Sequence, residues 1–161
     1  MEQQLLKWFE RIQQPNSIGK FPICPFAAAA IKNNKVSIQH VEDISNIESI
    51  IDSIDITEYD VVILYVSEYE KYTIDDLHHI ILSLNSKFNS ADKAILENEP
   101  RTPFFINEVQ TTFDDCYLIL VQSLSKLNKH AEILKGTDYY SYWTKSQIDE
   151  VITWRYNEKN T

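Results

Sequence analysis

The chain has 161 residues, of which 43% are hydrophobic and 24% charged, enough to build the core of one ordinary domain and too apolar for disorder. Its formal charge of -9 opposes a nucleic-acid backbone or an anionic membrane surface as partner, and the longest apolar run, Val61 to Val66, is far too short to cross a bilayer. Only two glycines are present, Gly19 and Gly136, which excludes phosphate-binding loops, dinucleotide fingerprints and nucleophile elbows, since each needs glycine where the backbone turns sharply or meets a ligand.

In chain order, Leu5, Trp8, Phe9 and Ile12 recur at helical spacing until Pro15 stops the helix. Residues 20–23 read as a short extended piece. Pro25 then suits the first turn of a helix running to Asn33, with Cys24 at its N-cap. Val36, Ile38 and His40 alternate as a strand, and Ser45 with Glu48 suggests a capping box before the stripe Ile47, Ile50, Ile51 and Ile54. Val61 to Val66 is a β-branched run suited to a central strand. Thr73 with Asp76 opens the longest helix, burying Ile74, Leu77, Ile80, Ile81, Leu84 and Phe88.

Lys93 to Glu97 and Phe104 to Ile106 read as shorter strands, and Tyr117 to Val121 as the last. Ser123 caps a helix that Gly136 ends, and a final helix runs from Ser146 to about Arg155 with Ile148, Val151 and Ile152 on one side. The expected fold is α+β or α/β, a two-layer sandwich with a mixed sheet of four to five strands and helices packed on it. Residues 1–161 form a single domain, with 1–136 the body and 137–161 an aromatic arm packed on it. The N-terminus lacks a signal-peptide pattern and two cysteines make no disulfide framework, so a cytoplasmic protein is expected.

Cys24 is the sharpest chemical candidate. At a helix N-cap its sulfur lies beside unsatisfied N–H groups and the positive end of the helix dipole, which favour the thiolate. As a catalytic nucleophile or redox thiol it would use Lys20 or Arg101 to bind an anionic group of the substrate. The plainer alternative is a buried structural cysteine at a tight junction. The segment Phe21-Pro22-Ile23-Cys24-Pro25-Phe26-Ala27 also resembles redox proteins that place Cys-Pro at the start of their first helix. Ala27 stands where their second cysteine would be, and the intervening elements spoil a match of Pro103 to their later proline.

Trp8 on the first helix and Ile23-Cys24-Pro25-Phe26-Ala27 resemble the uncharacterised bacterial family called domain of unknown function 1415, whose signature is Leu-Cys-Pro-Phe-Ala. The resemblance covers roughly residues 5–135 and implies a shared fold. It carries no activity, and Glu99-Pro100 and Gln122 depart from the family's His-Pro pair and arginine.

The histidines, His40, His78, His79 and His130, fall in no metal-ligand spacing, so neither a metal nor a cofactor is expected. Asp75-Asp76 and Asp114-Asp115 are ordinary helix-entry and turn residues. Tyr139, Tyr140, Tyr142 and Trp143 concentrate aromatic area in the arm, which either covers the protein's own sheet or offers an interaction surface. Two functions follow: thiol chemistry or anionic small-molecule binding at Cys24, or a non-catalytic interaction module using the acidic surface and the arm. The partner would be a small molecule or a protein, and the protein a monomer or homodimer.

Overall fold

The computed structural model describes residues 1–15, 21–106 and 109–157; Gly19 and Lys20 lie outside the described residues. Helix α1 (Glu2–Gln13) buries the stripe Leu5, Trp8, Phe9 and Ile12. Helix α2 (Pro25–Lys32) starts on Pro25 with Cys24 as its N-cap. Strand β1 (Val36–Val41) crosses through α3 (Ile47–Ser53) to β2 (Val61–Val66), which lies parallel to it. The capping box expected at Ser45 and Glu48 does not form. Asp43 instead accepts from the Ser45 amide at 2.8 Å and starts a short 3₁₀ turn that leads into α3.

Helix α4 (Ile74–Phe88) opens on the Thr73–Asp76 capping box, and Leu77, Ile81, Leu84 and Phe88 face inward, although Ile74 stays exposed. It leads to β3 (Lys93–Asn98), then to a hairpin of β4 (Phe105–Ile106) and β5 (Val109–Gln110), then to β6 (Tyr117–Ser123). Strand β6 inserts between β2 and β3, antiparallel to both, so the main sheet runs β1-β2-β6-β3 with four strands. The Phe104 to Ile106 piece, expected as a sheet strand, belongs to the separate hairpin. The α+β class with a mixed sheet is the one expected from the sequence.

Period-two alternation sends the two sets of side chains of each central strand to opposite faces. Val62, Leu64, Val66, Tyr117, Ile119 and Val121 meet α3 and α4, whereas Val61, Ile63, Leu118 and Leu120 meet α1 and α2. Helices therefore cover both faces, and the sheet is the middle of three layers where the strand and helix order suggested two.

On the α3–α4 face even the polar groups are used. Buried Lys93 donates to the carbonyls of Ile51 and Asp52 at 2.6 and 2.9 Å, which satisfies the end of α3. Asn85 takes both backbone groups of Ile95 on edge strand β3, at 2.7 and 2.9 Å. Among the described residues, no helix is long and apolar enough to cross a membrane.

Helix α5 (Leu124–Lys135) is capped by Ser123, whose Oγ accepts from the Lys126 amide. The arm then makes a 3₁₀ turn at Tyr139–Tyr142 and a last helix built from α6 (Lys145–Ile148), a π-helical turn (Asp149–Thr153) and α7 (Trp154–Asn157). Thr144 and Gln147 form the capping box that starts it.

Candidate functional site

The arm lies back over the α1–α2 face and is tied down at three places. The Tyr139 hydroxyl donates to the carbonyl of Ile23 at 2.5 Å, beside the start of α2. The Gln147 amide donates to the Phe105 carbonyl of the hairpin at 2.6 Å, and the Tyr156 hydroxyl to Glu132 of α5 at 2.8 Å. The hairpin is itself anchored to α1, because the Trp8 indole donates to the Thr111 carbonyl at 2.8 Å. Between these elements and the sheet remains a cavity of about 240 Å³. Its walls are largely apolar, with Trp8 and Phe9 from α1, Leu120 from the sheet, Leu127 from α5 and Trp143 from the arm.

Three polar side chains of this cavity matter chemically: Cys24, Gln122 and Arg155. Cys24 arrives at the mouth of α2 because Pro25 fixes the first helical turn behind it. Burial pushes its thiol pKa up, while the amides of Ala27 and Phe26 and the charge of Arg155 pull it down and lose. The helix N-terminus thus acts on the sulfur of the half-buried Cys24 in the expected direction, but desolvation outweighs it and holds the thiol above its ordinary pKa, with no side-chain cap hydrogen bond at the start of α2. Cys116, on the same side of the sheet, is also held neutral, burial raising its pKa to about 12.

Arg155 is 6% exposed, and its Nε is sealed from solvent without a hydrogen-bond partner. Among the described residues it forms no ion pair. Burial lowers its pKa, opposed by the nearby Tyr140, Tyr156 and Cys24. A buried guanidinium without a counter-ion is costly, because several kcal/mol of hydration are lost with nothing in return. The π-helical turn contributes to its placement. The Thr153 hydroxyl reaches the Ile148 carbonyl five residues back at 3.4 Å and Asp149 at 3.0 Å, and the widened turn sets Ile152 and Arg155 inward.

Gln122 is 5% exposed and follows Leu118 and Leu120 on the cavity side of β6. Its side-chain amide makes no hydrogen bond among the described residues. Of the other polar lining groups, His130 packs edge-on against the Phe26 ring and Tyr140 against Tyr139 and Trp143, while Asn98 and Glu97 are hydrogen-bonded. Asn98 accepts from the Phe113 amide at 3.0 Å, and the Glu97 carboxylate is held by His78 at 2.5 Å and the Tyr117 hydroxyl at 3.0 Å.

Of the residues singled out in the sequence, Cys24, Tyr139, Tyr140 and Trp143 converge on this cavity, and Tyr142 stays exposed. The three inward rings pack on one another with centroids 4.8 to 5.6 Å apart. Lys20 lies outside the described residues. Arg101 does not line the cavity: its Nε and Nη2 bind the buried Glu99 carboxylate at 2.8 Å each, and its guanidinium lies over the Tyr69 ring.

The cation near Cys24 is thus Arg155, which sequence reasoning passed over. The signal was available, since Arg155 stands three and four residues after Ile152 and Val151 and so continues their apolar stripe. Gln122 likewise interrupts the apolar alternation of β6. Among the described residues no cluster of three or more His, Cys, Asp or Glu side chains is arranged to hold a metal ion. Compared with family models, curated proteins and solved structures, the chain matches none.

Proposed function

We propose that this protein binds a small organic anion in the cavity beneath the arm, with Arg155 as the counter-charge and the neutral Cys24 thiol in the wall. The observation that carries this is a buried arginine, with its Nε sealed and no ion pair among the described residues, in a largely apolar cavity: an anion would supply the partner, and the apolar walls would strengthen the pairing. Binding is favoured over thiol catalysis because a thiol with a raised pKa is a poor nucleophile, and His130, the histidine of the cavity wall, packs edge-on against the Phe26 ring and has no hydrogen bond to Cys24 among the described residues. Tyr139, Tyr140 and Trp143 of the arm face the cavity, which weighs against the arm as a free interaction surface. A cytoplasmic, monomeric or dimeric protein of the Cys-Pro-Phe-Ala type belongs to the same proposal.

Thermal unfolding with organic anions and their neutral amide analogues tests it. Anions at about a hundred times their Kd add roughly 2.7 kcal/mol of stability, and so raise Tm by several degrees. They also slow alkylation of Cys24 by iodoacetamide, both by covering the sulfur and by cancelling the charge of Arg155. Equal stabilisation by the neutral amides would remove the proposal.

A further inference from the structure

Resting on that anion reading, we infer that the ligand is a monocarboxylate carrying one compact apolar body, of the size of octanoate or phenylpropionate, with its head group at Arg155 and its body over Leu120 and against Trp8 and Phe9. Charge arithmetic comes first. Arg155 is the one arginine or lysine lining the cavity among the described residues, and the lining acid, Glu97, already has its own partners. A single negative charge neutralises the site. A phosphate dianion would leave a second charge buried and unpaired, an amine would meet the guanidinium as a like charge, and a neutral head group would leave Arg155 as it is.

Geometry selects further among monoanions. A guanidinium presents paired N–H donors in one plane, which match the two oxygens of a carboxylate. Gln122 adds an amide, also buried and unpartnered among the described residues, on the floor of the same cavity. Size sets the body. A cavity of about 240 Å³ corresponds to about eight non-hydrogen atoms at ~30 Å³ each, the share of one water in the liquid, which is about what octanoate or phenylpropionate carries beyond its carboxylate. The walls away from Arg155 are largely aromatic and aliphatic, with His130 and Tyr140 as the remaining polar side chains without a hydrogen bond among the described residues, so the body is mainly hydrocarbon.

The test is a titration of the full chain followed by tryptophan fluorescence, since Trp8 and Trp143 line the cavity. The probes are octanoate, octyl phosphate, 1-octanol and octylamine, together with a series of linear carboxylates from butanoate to dodecanoate. Octanoate is expected to bind tightest of the four head groups, with affinity rising along the series and levelling off near eight carbons. Arg155→Met should weaken octanoate binding about a hundredfold and leave 1-octanol unchanged, while Arg155→Lys, which keeps the charge and loses the planar fork, should weaken it about tenfold. Gln122→Leu should cost severalfold.

Tighter binding of octyl phosphate than octanoate would overturn the carboxylate class and leave the anion proposal standing. Equal binding of 1-octanol and octanoate, insensitive to Arg155→Met, would overturn both. An affinity that keeps climbing to dodecanoate would overturn the compact body alone. Arg155→Met removes an unpaired buried charge, so it is expected to fold; near-ultraviolet circular dichroism checks this, and Arg155→Lys carries the comparison if it does not.

Discussion

The two faces of the sheet use the same kinds of residue to opposite ends. Against α3 and α4, Leu64, Leu77, Ile119 and Ile51 are wholly buried, and the intruding polar groups, Lys93 and Asn85, are fully bonded. Against α1, α2, α5 and the arm, equally apolar residues leave an open volume, and two buried polar side chains lining it have no partner among the described residues. The two arginines repeat the contrast. Arg101 sits on the surface beside a buried carboxylate and is satisfied, whereas Arg155 is buried and has no ion pair among the described residues. Burial alone therefore does not mark a functional region; burial of an unmet hydrogen-bonding demand does.

The sharpest way to break that contrast is to remove the arm. Truncation before Thr137 exposes the α1–α2 face and loses the burial of Ile152 and the half-burial of Tyr139, Tyr140 and Trp143; at about 1.5–3 kcal/mol for a fully buried side chain and half that for a half-buried one, the total is roughly 5 kcal/mol. Urea denaturation should show the midpoint falling accordingly. An unchanged midpoint combined with lost dimerisation or partner binding would make the arm an interface instead of a wall.

Next in size is a matched pair of core truncations. Leu77→Ala digs a new hole in the packed face and should cost about 3–4 kcal/mol, whereas Leu127→Ala, beside an existing cavity, should cost about 1–2 kcal/mol because fewer contacts are lost. Equal losses in urea would mean that the two faces are packed alike.

Arg155→Met should change stability in the opposite direction. Without ligand, replacing an unpaired buried charge by a hydrocarbon of similar length is expected to stabilise the fold by about 1–3 kcal/mol. A loss of stability of that size would show that Arg155 holds the arm down structurally.

The smallest effect belongs to the satisfied pair. Burial raises the Glu99 carboxyl pKa, but the hydrogen bonds and charge of Arg101 outweigh it and hold the group below the usual carboxylate range. With the folded value below the unfolded one, its stabilisation is complete above the ordinary glutamate pKa and is lost as pH falls through the lowered one. Glu99→Gln should lower stability at neutral pH by about 1 kcal/mol and flatten the acid limb of a stability–pH profile. An acid limb identical to the parent's would assign that limb to other carboxylates.

Most elements of this fold were legible locally. The Thr73–Asp76 pair at the start of α4, the Ser123 cap, Pro25 at a first helical turn and the stripe of α1 all appear as read, because caps and stripes depend on neighbours three or four residues away. At Asp43 and Ser45 two local caps competed, and the earlier one won.

Strand order, the third layer and the isolation of Arg155 were decided only by the tertiary structure. Inserting β6 between β2 and β3 depends on contacts across more than twenty residues of chain, which no local period records. Cys24 could be placed at a helix start from its proline neighbour, but the sign of its pKa shift could not. The dipole that favours the thiolate is local, whereas the desolvation that opposes it comes from the packing of several elements distant in sequence, the arm among them, around the same cavity. For the same reason an arginine on an apolar stripe became a candidate ligand anchor only once the fold had buried it without a counter-charge among the described residues.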